Sequence, residues 1–148
     1  MSKAQSQNAS AINDAGCKHA LRDAVRRQVA FLSRRGIDVS EIMADCGPAP
    51  IFGDACRSSI ATVALNPSRR EFENGDGELL RGDSRRLHTL ESLGIKSWAD
   101  ATENHIDLIV QALSTYFDRR PYRTWFDPLD VLIRQTGHSY YSSLFPVC

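Results

Sequence analysis

Apolar residues recur at helical spacing in four segments of the chain. The clearest of these helices is capped by Asp100 or Thr102 and stopped by Arg119-Arg120-Pro121, with an apolar stripe at i, i+3, i+4 and i+7. The other helices are predicted from near Asp14 to Arg35, from Asp83 or Ser84 to Gly94, and from Trp125 to Gln135. The last of these is predicted to bury Phe126, Leu129, Leu132 and Ile133. The pattern therefore predicts a helix-rich chain.

One segment has the pattern of a buried strand instead. Ile60–Leu65 is a continuous apolar run with β-branched residues, and it ends abruptly at the turn dipeptide Asn66-Pro67. Such a strand is typical of a parallel sheet that carries its chemistry at the carboxyl edge. Weaker strand patterns occur at 48–53 and 139–147. Together with the helices, these segments predict an α/β fold.

The balance of elements suggests that the sheet is incomplete. A lone central strand leaves backbone groups unpaired, because an independent sheet needs about three strands. Either the two weaker segments join the sheet, or the chain is the N-terminal part of a larger α/β domain; the β-prone ending at Cys148 favours truncation. The polar residues 1–13 are predicted to be a mobile leader, and 14–148 a single domain.

Composition narrows the class of protein. The chain has 148 residues, 42% hydrophobic content and no run long enough to span a membrane. No secretory signal is recognisable, so we predict a cytoplasmic location. The cysteines are scattered without metal-ligand spacing, and neither a metal nor a cofactor is predicted.

The charges balance, with 18 cationic and 18 acidic residues. All but three of the cationic residues are Arg, a good bidentate ligand for phosphate and carboxylate. Two arginine pairs follow the predicted strand, Arg69-Arg70 and Arg85-Arg86. They either contact DNA or another acidic partner, or simply belong to solvated faces.

The long polar loop between these pairs contains the apolar residues Phe72, Leu79 and Leu80. Long loops in compact domains are often functional, so these side chains are candidates for substrate binding. The alternative is that they tuck under the loop.

Asn66 is the candidate for chemistry at the end of the strand. Phosphate loops, dinucleotide fingerprints and nucleophile elbows each require glycine patterns that this sequence lacks. An asparagine side chain both accepts and donates hydrogen bonds, so it can orient a water molecule against an electrophilic carbon.

The run Val63-Ala-Leu-Asn-Pro-Ser68 resembles the first motif of the uracil-DNA glycosylase superfamily, Gly-x-Asn-Pro-Gly. The following loop and the segment from Gly82 to Ile95 are similar too. The resemblance implies a three-layer α/β/α sandwich around a parallel sheet. It also implies hydrolysis of the N-glycosidic bond of a uracil or damaged base that is flipped out of DNA.

The resemblance assigns a role to each matching residue. Asn66 would orient the attacking water, Pro67 would shape the turn, and Ser68 would face the base or a phosphate. Leu79 or Leu80 falls nearest to the base-stacking position, and Phe72 lies earlier in the loop. Ala64 and Ser68 replace glycines of the family motif, and the family's base-reading segments would follow Cys148.

Two other functions remain open. The chain is alternatively a non-catalytic domain that binds nucleic acid or an acidic partner through Arg69, Arg70, Arg85 and Arg86. In the third interpretation it is a small helical protein without a ligand, and Asn66-Pro67 is only a turn.

Overall fold

The computed structural model describes residues 3–34, 45–54, 68–119 and 121–140. The helices in these ranges are α1 (Lys3–Leu32), α2 (Leu90–Leu93), α3 (Glu103–Ser114) and α4 (Arg123–Arg134). Short 3₁₀ turns occur at Arg69–Glu71, Gly82–Ser84, Trp98–Asp100 and Tyr116–Asp118. No helix in the described ranges is both long and apolar enough to cross a membrane.

The predicted α/β/α sandwich with a parallel sheet is wrong for the part of the chain that the structure describes. These residues form no β-strand, and their only extended pairings are two isolated antiparallel bridges, Cys46 with Thr89 and Glu73 with Leu79. The strand predicted at Ile60–Leu65 lies outside the described residues, as does most of the segment 139–147.

The predicted edge strand at 48–53 does not form. The Gly47 N–H donates to the His88 carbonyl at 2.9 Å, and the Leu90 N–H donates to the Asp45 carbonyl at 2.8 Å. This pairing is an isolated antiparallel bridge between Cys46 and Thr89, and it does not continue into residues 48–53.

The same bridge shortens the second helix. A helix from Asp83 or Ser84 was predicted, but α2 begins only at Leu90, since the preceding residues 88 and 89 are extended and pair with 45–47. Thr89 and Ser92 close a capping box at its start. The predicted end is confirmed: Gly94 adopts φ 69°, and the Ile95 N–H folds back onto the Leu90 carbonyl at 3.1 Å.

The core lies between α1 and α3. Leu21, Val25 and Val29 recur every fourth residue along α1 and are buried. They face the predicted apolar stripe of α3, of which Ile106, Ile109 and Leu113 are buried. Arg22 and Arg26 border this contact and both bind the carboxylate of Glu103. α1 begins at Lys3, before the predicted start, and so includes most of the predicted leader.

α4 packs through aromatic rings. Phe126 lies in a cluster in which neighbouring ring centroids are 4.5 to 5.9 Å apart; its members are Phe52, Tyr116, Phe117, Phe126 and Tyr140. The prediction that Leu132 is buried is wrong, because its side chain is 61% exposed. Asp130 is buried on this helix instead.

Candidate nucleic-acid interface

Two of the predicted site residues cannot be placed. Asn66, the candidate catalytic residue, and Pro67 lie outside the described residues. The description resumes at Ser68, whose extended backbone leads into the 3₁₀ turn Arg69–Glu71. The Ser68 hydroxyl oxygen accepts a hydrogen bond from the Arg70 N–H at 3.2 Å, so this side chain caps the turn.

The predicted substrate-binding residues of the loop lie in a small hairpin. The Leu80 N–H donates to the Phe72 carbonyl at 2.7 Å, and the Asn74 side chain holds the tight turn between them. The Phe72 ring is only 5% exposed and is part of the core, whereas Leu80 is half-buried. Phe72 therefore has no open face on which a base could stack.

The two arginine pairs, sixteen residues apart in sequence, are brought together. Arg86 donates from Nη1 to the Arg70 carbonyl at 2.5 Å, and its guanidinium lies 5.6 Å from the centre of the Tyr122 ring. Arg86 is half-buried and acts as the clamp between the pairs.

Arg69 and Arg70 are exposed beside this clamp. Arg69 is in an ion pair with Glu73 at 3.2 Å, and Arg70 donates to the Asn74 carbonyl. The Arg69 side chain is 73% exposed and that of Glu73 12%, so the guanidinium keeps most of its surface in solvent.

Arg119 lies beside these residues, although the sequence predicts no role for it in the site. It lines an open concavity of about 430 Å³ together with Arg85, Gly82 and Asp83. In the sequence, Arg119 is notable only because it lies just before a proline that ends a predicted helix, and this position does not predict that Arg119 lies near Arg85. We call Arg69, Arg70, Arg85, Arg86 and Arg119 the arginine surface.

The positive charges of Arg85 and Arg119 also act on a half-buried histidine, His88. Burial, followed by the charges of Arg85 and Arg119, lowers the pKa of His88 from 6.5 to about 4. The ring is therefore neutral at physiological pH, and its Nδ1 lies 3.2 Å from the Ser92 hydroxyl. His88 links the concavity to the start of α2.

A buried acidic residue supports the arginine surface from below. Glu71 follows Arg69 and Arg70 directly and is 2% exposed. Tyr116 donates its hydroxyl hydrogen to Glu71 Oε2 at 2.5 Å and accepts a hydrogen bond from the Tyr122 N–H at 2.8 Å. This pair could not be predicted from the sequence, because a glutamate in an arginine-rich loop is usually solvated.

The arrangement has the chemistry of anion binding. In the described ranges no three His, Cys, Asp or Glu side chains are grouped as metal ligands. Burial raises the pKa of the Cys46 thiol to about 12, which makes it a poor nucleophile. No family model, no curated protein and no solved structure matches this chain.

Proposed function

We propose that this protein binds DNA through the arginine surface. The observation that carries the proposal is the hydrogen bond from Arg86 to the Arg70 carbonyl, which places two separate arginine pairs side by side. Guanidinium groups on a common surface bind the phosphates of a nucleic-acid backbone bidentately.

The distribution of ion pairs supports local binding in a chain of zero net charge. Glu103 and Asp107 on α3 are held by arginines of α1, and Glu91 is held by Arg81. These carboxylates are therefore engaged outside the arginine surface. Glu71, which lies beneath it, is buried and does not face a ligand.

The test is the salt dependence of binding to a fluorescein-labelled DNA duplex, followed by anisotropy. We expect Arg70→Gln and Arg85→Gln to weaken binding, and each to reduce the slope of log K against log salt by about 0.9. The matched control is Arg27→Gln, which removes the same charge from an exposed position on α1.

Two results would overturn the proposal. One is an equal loss in Arg27→Gln, which would mean that binding follows total charge rather than this surface. The other is binding of polyglutamate as tight as that of DNA at the same salt concentration, which would identify an acidic protein as the partner.

Hydrolysis of a flipped base is a further step that depends on Asn66. DNA binding by the arginine surface is compatible with it and does not require it. The described residues form no sheet like that of the uracil-DNA glycosylase superfamily, so the hydrolase hypothesis rests on the Asn66-Pro67 motif alone.

A further inference from the structure

Like Arg27 and Arg34, Arg85 and Arg119 have no partner for their guanidinium groups among the described residues, but only Arg85 and Arg119 line a common concavity. Other arginines in the described ranges pair with carboxylates: Arg22, Arg26, Arg69, Arg81, Arg123 and Arg134. Arg70 and Arg86 donate to backbone carbonyls. Among the described residues, the guanidinium groups of Arg85 and Arg119 have no hydrogen-bond acceptor and no carboxylate within ion-pair distance.

These two side chains also share one concavity. They approach it from different segments, Arg85 after the 3₁₀ turn Gly82–Ser84 and Arg119 after the 3₁₀ turn Tyr116–Asp118. Both segments are anchored: the Arg85 N–H donates to the Gly82 carbonyl at 3.2 Å, and Tyr116 is fixed by its hydrogen bond to Glu71. The backbones that carry the two guanidiniums are therefore held in place before any ligand arrives.

We infer that Arg85 and Arg119 form a binding site for a single phosphate group in this concavity. The choice of phosphate rests on the proposed function. A tetrahedral phosphate has several acceptor oxygens that point in different directions, so it can bind two guanidinium groups that approach from different sides. A planar carboxylate has only two oxygens in one plane and fits two such guanidinium groups less well.

Asp83 makes the inference more specific. Asp83 lines the same concavity, and its negative charge opposes the binding of an anion there, so it limits the affinity of the site. Removing this charge is expected to tighten phosphate binding at the site. Non-specific binding of phosphate to a cationic surface would not depend on one particular carboxylate.

The experiment titrates the full chain with inorganic phosphate and follows the side-chain Nε–Hε signals of its arginines by NMR, with sodium chloride at matched ionic strength as the reference. We expect saturable shifts of the Arg85 and Arg119 signals. Arg85→Gln and Arg119→Gln should each weaken binding about tenfold or more, since each removes a charged hydrogen-bonding group. Asp83→Asn should tighten it several-fold, and Arg27→Gln should leave it unchanged.

The source of the phosphate is then tested by competition. If the DNA duplex displaces inorganic phosphate from the site, the backbone phosphodiester is its ligand. If phosphate binds at Arg85 and Arg119 but no DNA binds, the site stands and the proposed function is wrong. If DNA binds but phosphate gives no saturable shift, or if Arg27→Gln weakens phosphate binding as much as Arg85→Gln does, the site is wrong.

Discussion

At the scale of single residues, the hydrogen-bonded pair of Glu71 and Tyr116 is the most consequential feature of the interior. Burial raises the pKa of Glu71, while the hydrogen bond from Tyr116 and the charge of Arg86 act in the opposite direction. The pair ties the turn that carries Arg69 and Arg70 to the segment that follows α3. It therefore fixes part of the arginine surface.

Removing either member should destabilise the fold. Tyr116→Phe leaves the buried carboxylate without its donor and the Tyr122 N–H without its acceptor, at a cost of about 1–3 kcal/mol for each group. Urea unfolding of Tyr116→Phe, Glu71→Gln and the double variant measures the coupling. Losses that simply add would show that the two side chains do not share a hydrogen bond.

His88 should make stability depend on pH. Its folded pKa of about 4 lies below the ordinary value of 6.5, so the unfolded chain takes up the proton first as the pH falls. The stability that the neutral ring contributes is complete above pH 6.5 and is lost as the pH falls toward 4. His88→Gln removes this part of the dependence.

The measurement compares the free energy of unfolding at pH 7.5 and pH 5 for the wild type and His88→Gln. The wild type should lose more stability than the variant over this interval. His138→Gln, at an exposed position, is the matched control. If His88→Gln follows the wild type at both pH values, the ring does not titrate as the structure indicates.

At the scale of elements, the sequence predicted what local periodicity controls. The stripe of α3 and the glycine that ends α2 are both local signals, and both predictions are confirmed. The start of α2 was wrong because residues 88–90 pair with 45–47, a contact between distant segments that no local pattern reveals.

α4 also shows that local periodicity does not determine which residues of a helix are buried. Its periodicity predicted a buried Leu132, but the fold buries Asp130, which accepts hydrogen bonds from Ser139, Tyr140 and Arg134. Burial acts to raise the pKa of this carboxylate, yet the three hydrogen bonds together lower it. A buried aspartate whose donors include residues beyond the end of its own helix cannot be recognised from helical spacing alone.

The segment 45–54 docks on α3 at a glycine. Gly53 adopts φ +88°, donates its N–H to the Leu113 carbonyl at 2.9 Å, and would place a Cβ 2.9 Å from the Phe117 ring. Gly77 has a similar φ of +82° but open space around the same position. Comparing substitutions at these two glycines therefore separates the effect of backbone strain from the effect of steric overlap.

Gly53→Ala should destabilise the protein by about 1–3 kcal/mol more than Gly77→Ala, because only the first variant overpacks the core. Both variants carry the cost of a left-handed backbone in a residue with a Cβ. Thermal unfolding of the two proteins gives the difference. Equal losses would mean that the ring of Phe117 moves aside freely.

At the scale of the whole molecule, the fold brings together residues that are far apart in the sequence. The two arginine pairs lie side by side although a hairpin separates them along the chain. Arg119 was missed because its proximity to Arg85 is purely tertiary. Phe72 was named as a substrate-binding residue, and its apolar character instead serves the core.

The hydrolase hypothesis makes a prediction for the full chain. If Asn66 orients the attacking water, the protein releases uracil from a uracil-containing oligonucleotide and leaves an alkali-labile abasic site. Asn66→Ala should then lower the single-turnover rate by about 10²–10⁴-fold, as for other groups that direct a nucleophile, without weakening DNA binding. Asn104→Ala, on the exposed face of α3, is the matched control.

Variants of the arginine surface and of Asn66 should show different defects in this assay. Arg85→Gln lowers the affinity for DNA, so its rate of uracil release should recover at saturating enzyme, whereas that of Asn66→Ala should not. If the wild type binds the oligonucleotide in a salt-dependent manner and still releases no base, the hydrolase hypothesis is wrong. The function of the chain is then binding alone, because the phosphate contacts need only the arginine surface.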